Sequence, residues 1–242
     1  MTIAEQLTRA KTDLDAVYAA GKEAGGGGSS IAKILQYVSN AGEVNRLFYR
    51  ADFQGADEIK VKMPNSPANL SELFAFAVGI QKIVLVVPTT QTYNGYRLVY
   101  GGSDMVATIE ELMLPDGIKF SDFSNFARNA PKLKTISGRI NLSECIEAPN
   151  PFQNCTSLED VEFMPNSIPL SISFANSPHL SDASIQSIIL GLADLRGQTT
   201  QTLTVHSTVY DKILQLRDEH ETVDGKNPYD PSVKNWELVR GV

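Results

Sequence analysis

The sequence predicts an α/β solenoid built from units of about 25 residues, with a helix before it and a closing cap after it. Three observations support this. A large-x-x-small-x-x-Leu/Ile spacing recurs along the chain. Short β-branched or apolar runs end in proline at matching intervals. The residues after 180 follow neither pattern and instead have the periodicity of helices and single strands.

In chain order, residues 1–24 come first. Ile3, Leu7, Ala10, Leu14, Val17, Gly21 and Ala24 recur in alternating steps of four and three, a heptad seam with the charges kept off it. So short a helix is marginal alone in water, so it either packs on a copy of itself or another protein as a candidate coiled coil, or frays. Ile3, Leu7, Ala10, Leu14 and Val17 are the expected oligomerisation contacts. Residues 25–30 (Gly25 to Gly28, Ser29, Ser30) are a flexible linker. Ile31, Ile34, Leu35 and Val38 share one helical face, which predicts a helical N-terminal cap on a solenoid covering 31–180.

The clearest unit is Phe152, Cys155, Leu158, then Val161 and Phe163 before Pro165. Phe174, Ser177, Leu180 and Ala127, Ala130, Leu133 match it, as do Phe53, Ala56, Ile59. The strand-ending prolines are Pro64, Pro88, Pro115 and Pro165, and Ile136 to Ile140 stands where one is missing, with Gly138 in place of Pro. Each unit predicts one short strand with alternate residues inward, a tight turn, and a return leg carrying the Phe and the small residue. No unit buries its own apolar face, whereas stacked units share one core. The period lies in the leucine-rich-repeat range.

An insertion is expected in the third unit. Tyr93-Asn94-Gly95-Tyr96, flanked by Thr92 and by Arg97 to Tyr100, reads as a hairpin with Asn-Gly in a primed turn. Tyr93, Asn94, Tyr96 and Tyr100 are candidate binding residues on it, or else an ordinary cross-strand pairing. The outer strand face is the alternative site. Residues 181–242 are the C-terminal cap. Ser181-Asp182 caps a helix bearing Ile185, Ile188, Ile189, Leu192 and Leu195, and Gly197 suits its C′ position. A strand at Leu203-Thr204-Val205, a helix with Val209, Ile213 and Leu216, a polar insertion 217–233 and a strand at Trp236 to Val239 follow.

The net charge of −7, without any basic run, argues against a nucleic-acid partner. No apolar run is long enough for membrane insertion, and Met1 to Leu7 lacks the pattern of a secretory signal. Cys145 and Cys155 read as reduced, Cys155 as buried, rather than as a bridge. His179, His206 and His220 have no metal-ligand spacing. The stretch Asp218-Glu219-His220-Glu221 with Asp224, Gly225 and Asp230 is either a solvated loop or a Ca²⁺ site without the alternating ligands of an EF-hand. No nucleophile elbow, phosphate loop or zincin motif is present, so no enzyme, metal or cofactor is expected.

The Phe-x-Asn-Cys-x-x-Leu-x-x-Val core at 152–161 resembles BspA-like leucine-rich repeats. The segment Ser184 to Val205 looks like the closing module of a subgroup found in phages and prophages of gut Firmicutes, and Tyr18 with Gly21 to Gly25 looks like leader segments of those proteins. The resemblance implies a phage virion structural protein, made in the host cytoplasm, that displays a repeat surface from a tail, baseplate or capsid. Its partner would be a protein or a cell-surface glycan. It would be a homo-oligomer or be anchored to a virion protein through the N-terminal helix. The alternative is a bacterial cell-surface adhesin with the same repeats.

Overall fold

The computed structural model describes residues 33–36, 46, 48–62, 69–220 and 227–241. The heptad helix and the Gly/Ser linker lie outside them. The described chain is a parallel β-solenoid of about five turns with few helices. Strands β1 (Lys33–Gln36), β2 (Asp52–Lys62), β3 (Val78–Val86), β5 (Glu111–Met113), β7 (Thr135–Asn141) and β8 (Asp160–Phe163) stack along its first side, each parallel to the one before. β4 (Thr92–Asn94) and β6 (Ile118–Asp122) form a second side, extended by the bridges Asn69↔Asn94 and Asp122↔Glu147. β7 serves both sides, since its far end pairs with β6 through Ile140 and Asn141.

The register explains the repeat. Ile59, Ile83, Leu112, Ile136 and Val161 are consecutive partners across five strands, and all are buried. One inward aliphatic side chain per coil thus makes a continuous apolar column, and alternate residues point out to solvent. Each strand of this side that precedes a described proline stops two residues short of it: β3 before Pro88, β5 before Pro115, β8 before Pro165. Proline has no N–H to give the ladder. In β7 the chain turns instead at Gly138, with φ +86; a Cβ there would lie 2.2 Å from the Leu114 carbonyl oxygen of the preceding coil.

The return legs carry the second half of the motif. Phe152, Cys155 and Leu158 are fully buried, as are Phe174, Ser177 and Leu180. The rings stack from coil to coil, Phe152 on Phe174 at 4.9 Å and Phe48 on Phe74 at 5.0 Å. The small residue is explained by a polar relay: Ser177 Oγ donates to the Cys155 carbonyl at 3.2 Å, and Cys155 Sγ to the Ala127 carbonyl at 3.0 Å. Both cysteines are free thiols, and burial pushes Cys155 up to about 12 and Cys145 to about 11.

Four sequence expectations are corrected. The helix expected over Ile31–Val38 is replaced at Lys33–Gln36 by β1, which pairs in parallel with the edge of β2 and so satisfies that edge. Phe53, Ala56 and Ile59 are not a return leg: they lie within β2, and the motif of that coil is Phe74, Ala77, Ile80. The hairpin at 92–100 is absent. Neither Asn94 nor Gly95 has the positive φ a primed turn needs, and β4 pairs with β6 of the next coil rather than folding back on residues 97–100. Gly95 is required by that neighbour, because a Cβ there would lie 2.6 Å from a Phe120 ring carbon. Gly197 is not the helix C′ residue: α1 (Asp182–Gly191) ends earlier, where Leu192 leaves to bridge Ile168.

The cap otherwise follows the sequence. Ser181 accepts from the Ser184 N–H at the start of α1. Ile185, Ile188, Ile189, Leu192 and Leu195 are all buried. The exposed edge of β8 is closed by side chains of α1. The Val161 N–H donates to Ser184 Oγ and the Phe163 N–H to Ser187 Oγ, both at 2.9 Å. Residues one helical turn apart on α1 thus match N–H groups two apart on the strand. A second parallel sheet completes the end: β9 (Ile172–Phe174), β10 (Gln201–Val205) and β11 (Trp236–Arg240). α2 (Ser207–Glu219) buries Val209 and Ile213. Lys234 Nζ crosses to the end of α1 and donates to the carbonyls of Leu192 at 2.8 Å and Leu190 at 3.1 Å.

Candidate binding surface

The third side consists of turns. Residues in the left-handed conformation recur from coil to coil here, in two columns. The first column is Arg46, Glu72, Arg97, Asn125 and Asn150, with φ between 52° and 61°; the second includes Arg50, Phe76, Asn129 and Asn154, with φ between 56° and 61°. Asparagine visits this region cheaply, while an ordinary side chain there costs on the order of 1–2 kcal/mol. Later coils therefore use the inexpensive residue, and the first three coils use three Arg, one Glu and one Phe.

Those costly residues build one surface. Arg97 sits between Tyr96 and Tyr100, its guanidinium carbon 4.8 and 4.7 Å from the ring centres. Arg50 lies over Phe76 at 5.4 Å and over Tyr49 at 5.6 Å, and Arg46 over Tyr49 at 5.5 Å. The rings also meet edge to face, Tyr49 with Phe76 and Phe76 with Tyr100, both at 5.2 Å. Gly102 gives Phe76 its room, since a Cβ there would approach a ring carbon to 2.5 Å. Glu72, its side chain 9% exposed, pairs with Arg46 and, at 3.5 Å, with Arg97. That pairing raises Arg46 above the usual guanidinium value. Each cation–ring contact is worth about 0.5–1 kcal/mol at such exposure, so the row holds its cations in place. Arg97 Nε, Ser124 Oγ and Arg128 Nε are buried without a hydrogen-bond partner among the described residues. Ser124 adjoins Arg97 through the Arg97 N–H to Ser124 carbonyl bond of 3.1 Å.

Of the four residues singled out from sequence, Tyr96 and Tyr100 are brought together here, on either side of Arg97. Asn94 is structural: its side chain accepts from the Tyr96 N–H at 2.9 Å. Tyr93 is fully buried, and its hydroxyl donates to the Pro88 carbonyl at 2.6 Å, so it is a core residue and not a contact. Sequence reading missed Arg46, Arg50, Phe76 and Arg97. Their signal was available as non-Asn residues one unit apart at positions that later coils give to Asn.

The alternative strand face is self-neutralised in part. Lys82 lies between Glu58 at 3.6 Å and Glu111 at 3.2 Å in one outward column. Beside it runs the column Lys60, Val84, Met113 and Ser137. Elsewhere, His206 caps α2, accepting from the Thr208 N–H at 3.2 Å, and the His220 ring packs on Tyr229 at 4.4 Å. Asp230 accepts from the Ser232 N–H at 2.9 Å and Asp218 pairs with Arg217 at 3.4 Å; Glu221, Asp224 and Gly225 of the acidic stretch lie outside the described residues. No group of three or more His, Cys, Asp or Glu among the described residues is placed to hold a metal ion. No helix among them is long and apolar enough to cross a membrane. Set against known proteins, the chain matches no family model, no curated protein and no solved structure.

Proposed function

We propose that this chain is a non-enzymatic recognition protein: a solenoid of the leucine-rich-repeat kind that displays the arginine–aromatic row as its contact surface. The observation that carries the reading is the use of Arg, Glu and Phe at left-handed positions in the first three coils only. Backbone strain kept at a cluster whose arginines and rings reach the surface points to a role for those side chains. One inward aliphatic per coil supports a solenoid, and a unit of about 25 residues lies in the leucine-rich-repeat range. The resemblance of 152–161 and of Ser184 to Val205 supports a phage virion protein, in the tail, baseplate or capsid decoration, recognising a host-surface protein or glycan. In this reading the heptad helix of residues 1–24 joins copies or docks on a virion partner.

The test is binding of the fluorescently labelled full chain to intact gut Firmicutes cells, beside a Tyr96→Ala/Tyr100→Ala variant. The wild type is expected to bind saturably and the variant to lose that binding. Equal binding by both, or none across the panel, would sink the reading.

A further inference from the structure

We infer that the arginine–aromatic row takes a carboxylate-bearing polysaccharide, an inference that rests on reading this surface as the recognition face. Three features select that class. First, the sign is local: the chain as a whole carries −7, yet Arg46, Arg50 and Arg97 gather here, and the carboxylate that pairs with Arg46 and Arg97, that of Glu72, is mostly covered. An anionic partner fits this surface, and guanidinium groups bind carboxylates in a planar, bidentate way. Second, the cations alternate with ring faces. Tyr96 and Tyr100 flank Arg97, and Tyr49 and Phe76 flank Arg50. Half-buried rings beside cations suit a ligand with both apolar C–H faces and acidic groups, which describes a uronic-acid pyranose. Third, the backbone is already paired coil to coil. Arg46, Phe48, Glu72 and Phe74 donate their N–H groups to the next coil at 2.8–3.2 Å. Along these described residues the backbone N–H groups are already taken, so an acidic peptide has no ladder to extend there.

The spacing agrees. Arg46 and Arg97 stand in one column two coils apart, on the order of 10 Å at the usual strand separation. A sugar in an extended chain advances by about one strand separation, so carboxylates on alternate sugars meet both arginines. Coils four and five do not continue the surface. There the Asn154 side chain donates to that of Asn129 at 2.7 Å, and Asn129 donates to the Gly101 carbonyl at 3.1 Å, so these amides serve each other. The site is therefore confined to the first three coils.

The experiment titrates the labelled full chain with polygalacturonate, with the same polymer after reduction of its carboxyls to alcohols, and with poly-glutamate. The expected result is saturable binding of polygalacturonate, weakened about tenfold or more by carboxyl reduction and by added salt, and no competition by poly-glutamate. The variant Arg46→Asn/Arg50→Asn/Arg97→Asn installs the residue that the later coils use, so the turns are kept while the guanidiniums go; it should hold the circular dichroism spectrum and lose binding. Should that variant unfold, Arg97→Lys decides, since it keeps charge, removes the planar fork and should weaken binding severalfold. Equal affinity for the reduced polymer, or stronger binding of poly-glutamate, overturns the inference. So does an absence of binding to polygalacturonate. If the Tyr96/Tyr100 pair is still needed for cell binding in that case, the recognition surface stands and only its ligand class falls; if cell binding is absent too, both fall.

Discussion

Replacing Ser184 and Ser187 together by alanine tests how the solenoid ends. Two effects oppose each other. Alanine is the better helix former by up to about 0.5 kcal/mol per site, so helix propensity alone predicts a gain near 1 kcal/mol. Against this, the Val161 N–H loses its acceptor at 2.9 Å beneath Ser184, which is 1% exposed. A buried donor left unpaired costs about 1–3 kcal/mol. Ser187 is only half-buried, so water reaches the freed Phe163 N–H and the loss there is about 0.5–1.5 kcal/mol. The sum favours destabilisation, by roughly 0.5–3.5 kcal/mol net. The assay is urea unfolding followed by the single tryptophan, Trp236, which is 3% exposed and lies in the cap. Gln186→Ala, on the same helix at a half-buried position whose side chain does not hydrogen-bond β8, is the control and should shift the midpoint slightly upward. A double variant as stable as the wild type would refute the reasoning that α1 closes the β8 edge through these hydroxyls.

Other outcomes follow from the same structure. Leu158→Ala, at a fully buried position, should lower unfolding free energy by about 2–5 kcal/mol by denaturant titration; a neutral result means the motif register is wrong. Gly138→Ala combines a left-handed φ with a Cβ 2.2 Å from a carbonyl oxygen, and should cost more than the ~1–2 kcal/mol of that conformation alone, read as a fall in Tm. Both thiols should resist Ellman's reagent in the folded chain and react on unfolding. Because folding raises their values, the unfolded chain ionises first; stability is unaffected well below pH 9.0 and declines between there and about 12 as the unfolded thiols lose protons. A urea midpoint equal at pH 8 and pH 10 in the wild type, or a drop just as large in Cys145→Ala/Cys155→Ala, contradicts this. The full chain should sediment as an oligomer and a chain beginning at Ile31 as a monomer; two monomers would turn the heptad seam toward a different partner.

Much of the fold could be read from the sequence because the solenoid repeats its physics. Pro88, Pro115 and Pro165 mark strand ends since none can donate to the ladder, and Phe152, Cys155 and Leu158 face inward in a spacing the chain reuses. The cap was legible through Ser181 and the apolar face of α1, which obey ordinary helix rules. The misreadings share a cause. Phe53 matched the motif by spacing, yet Gly55, with φ +80, sits inside a strand whose register shifts there. Asn94-Gly95 matched a hairpin signal, yet that glycine answers to Phe120 in the next coil, a contact that local sequence cannot show. Tyr93 looked like an interface tyrosine until the stacking placed it in the core. The arginine row escaped for a similar reason: its members are about 25 residues apart and become neighbours only when the coils stack.

The closure of β8 by α1 makes the two ends of the molecule unequal. Ser184 and Ser187 meet β8 through its backbone N–H groups, whatever side chains that strand carries, while β3, β5 and β7 each lie between strands like themselves. Whole units can then be gained or lost upstream without any change to the lid. The number of coils is therefore set apart from the module that ends them: an added or deleted unit would lengthen or shorten the solenoid and leave the closing contacts as they are.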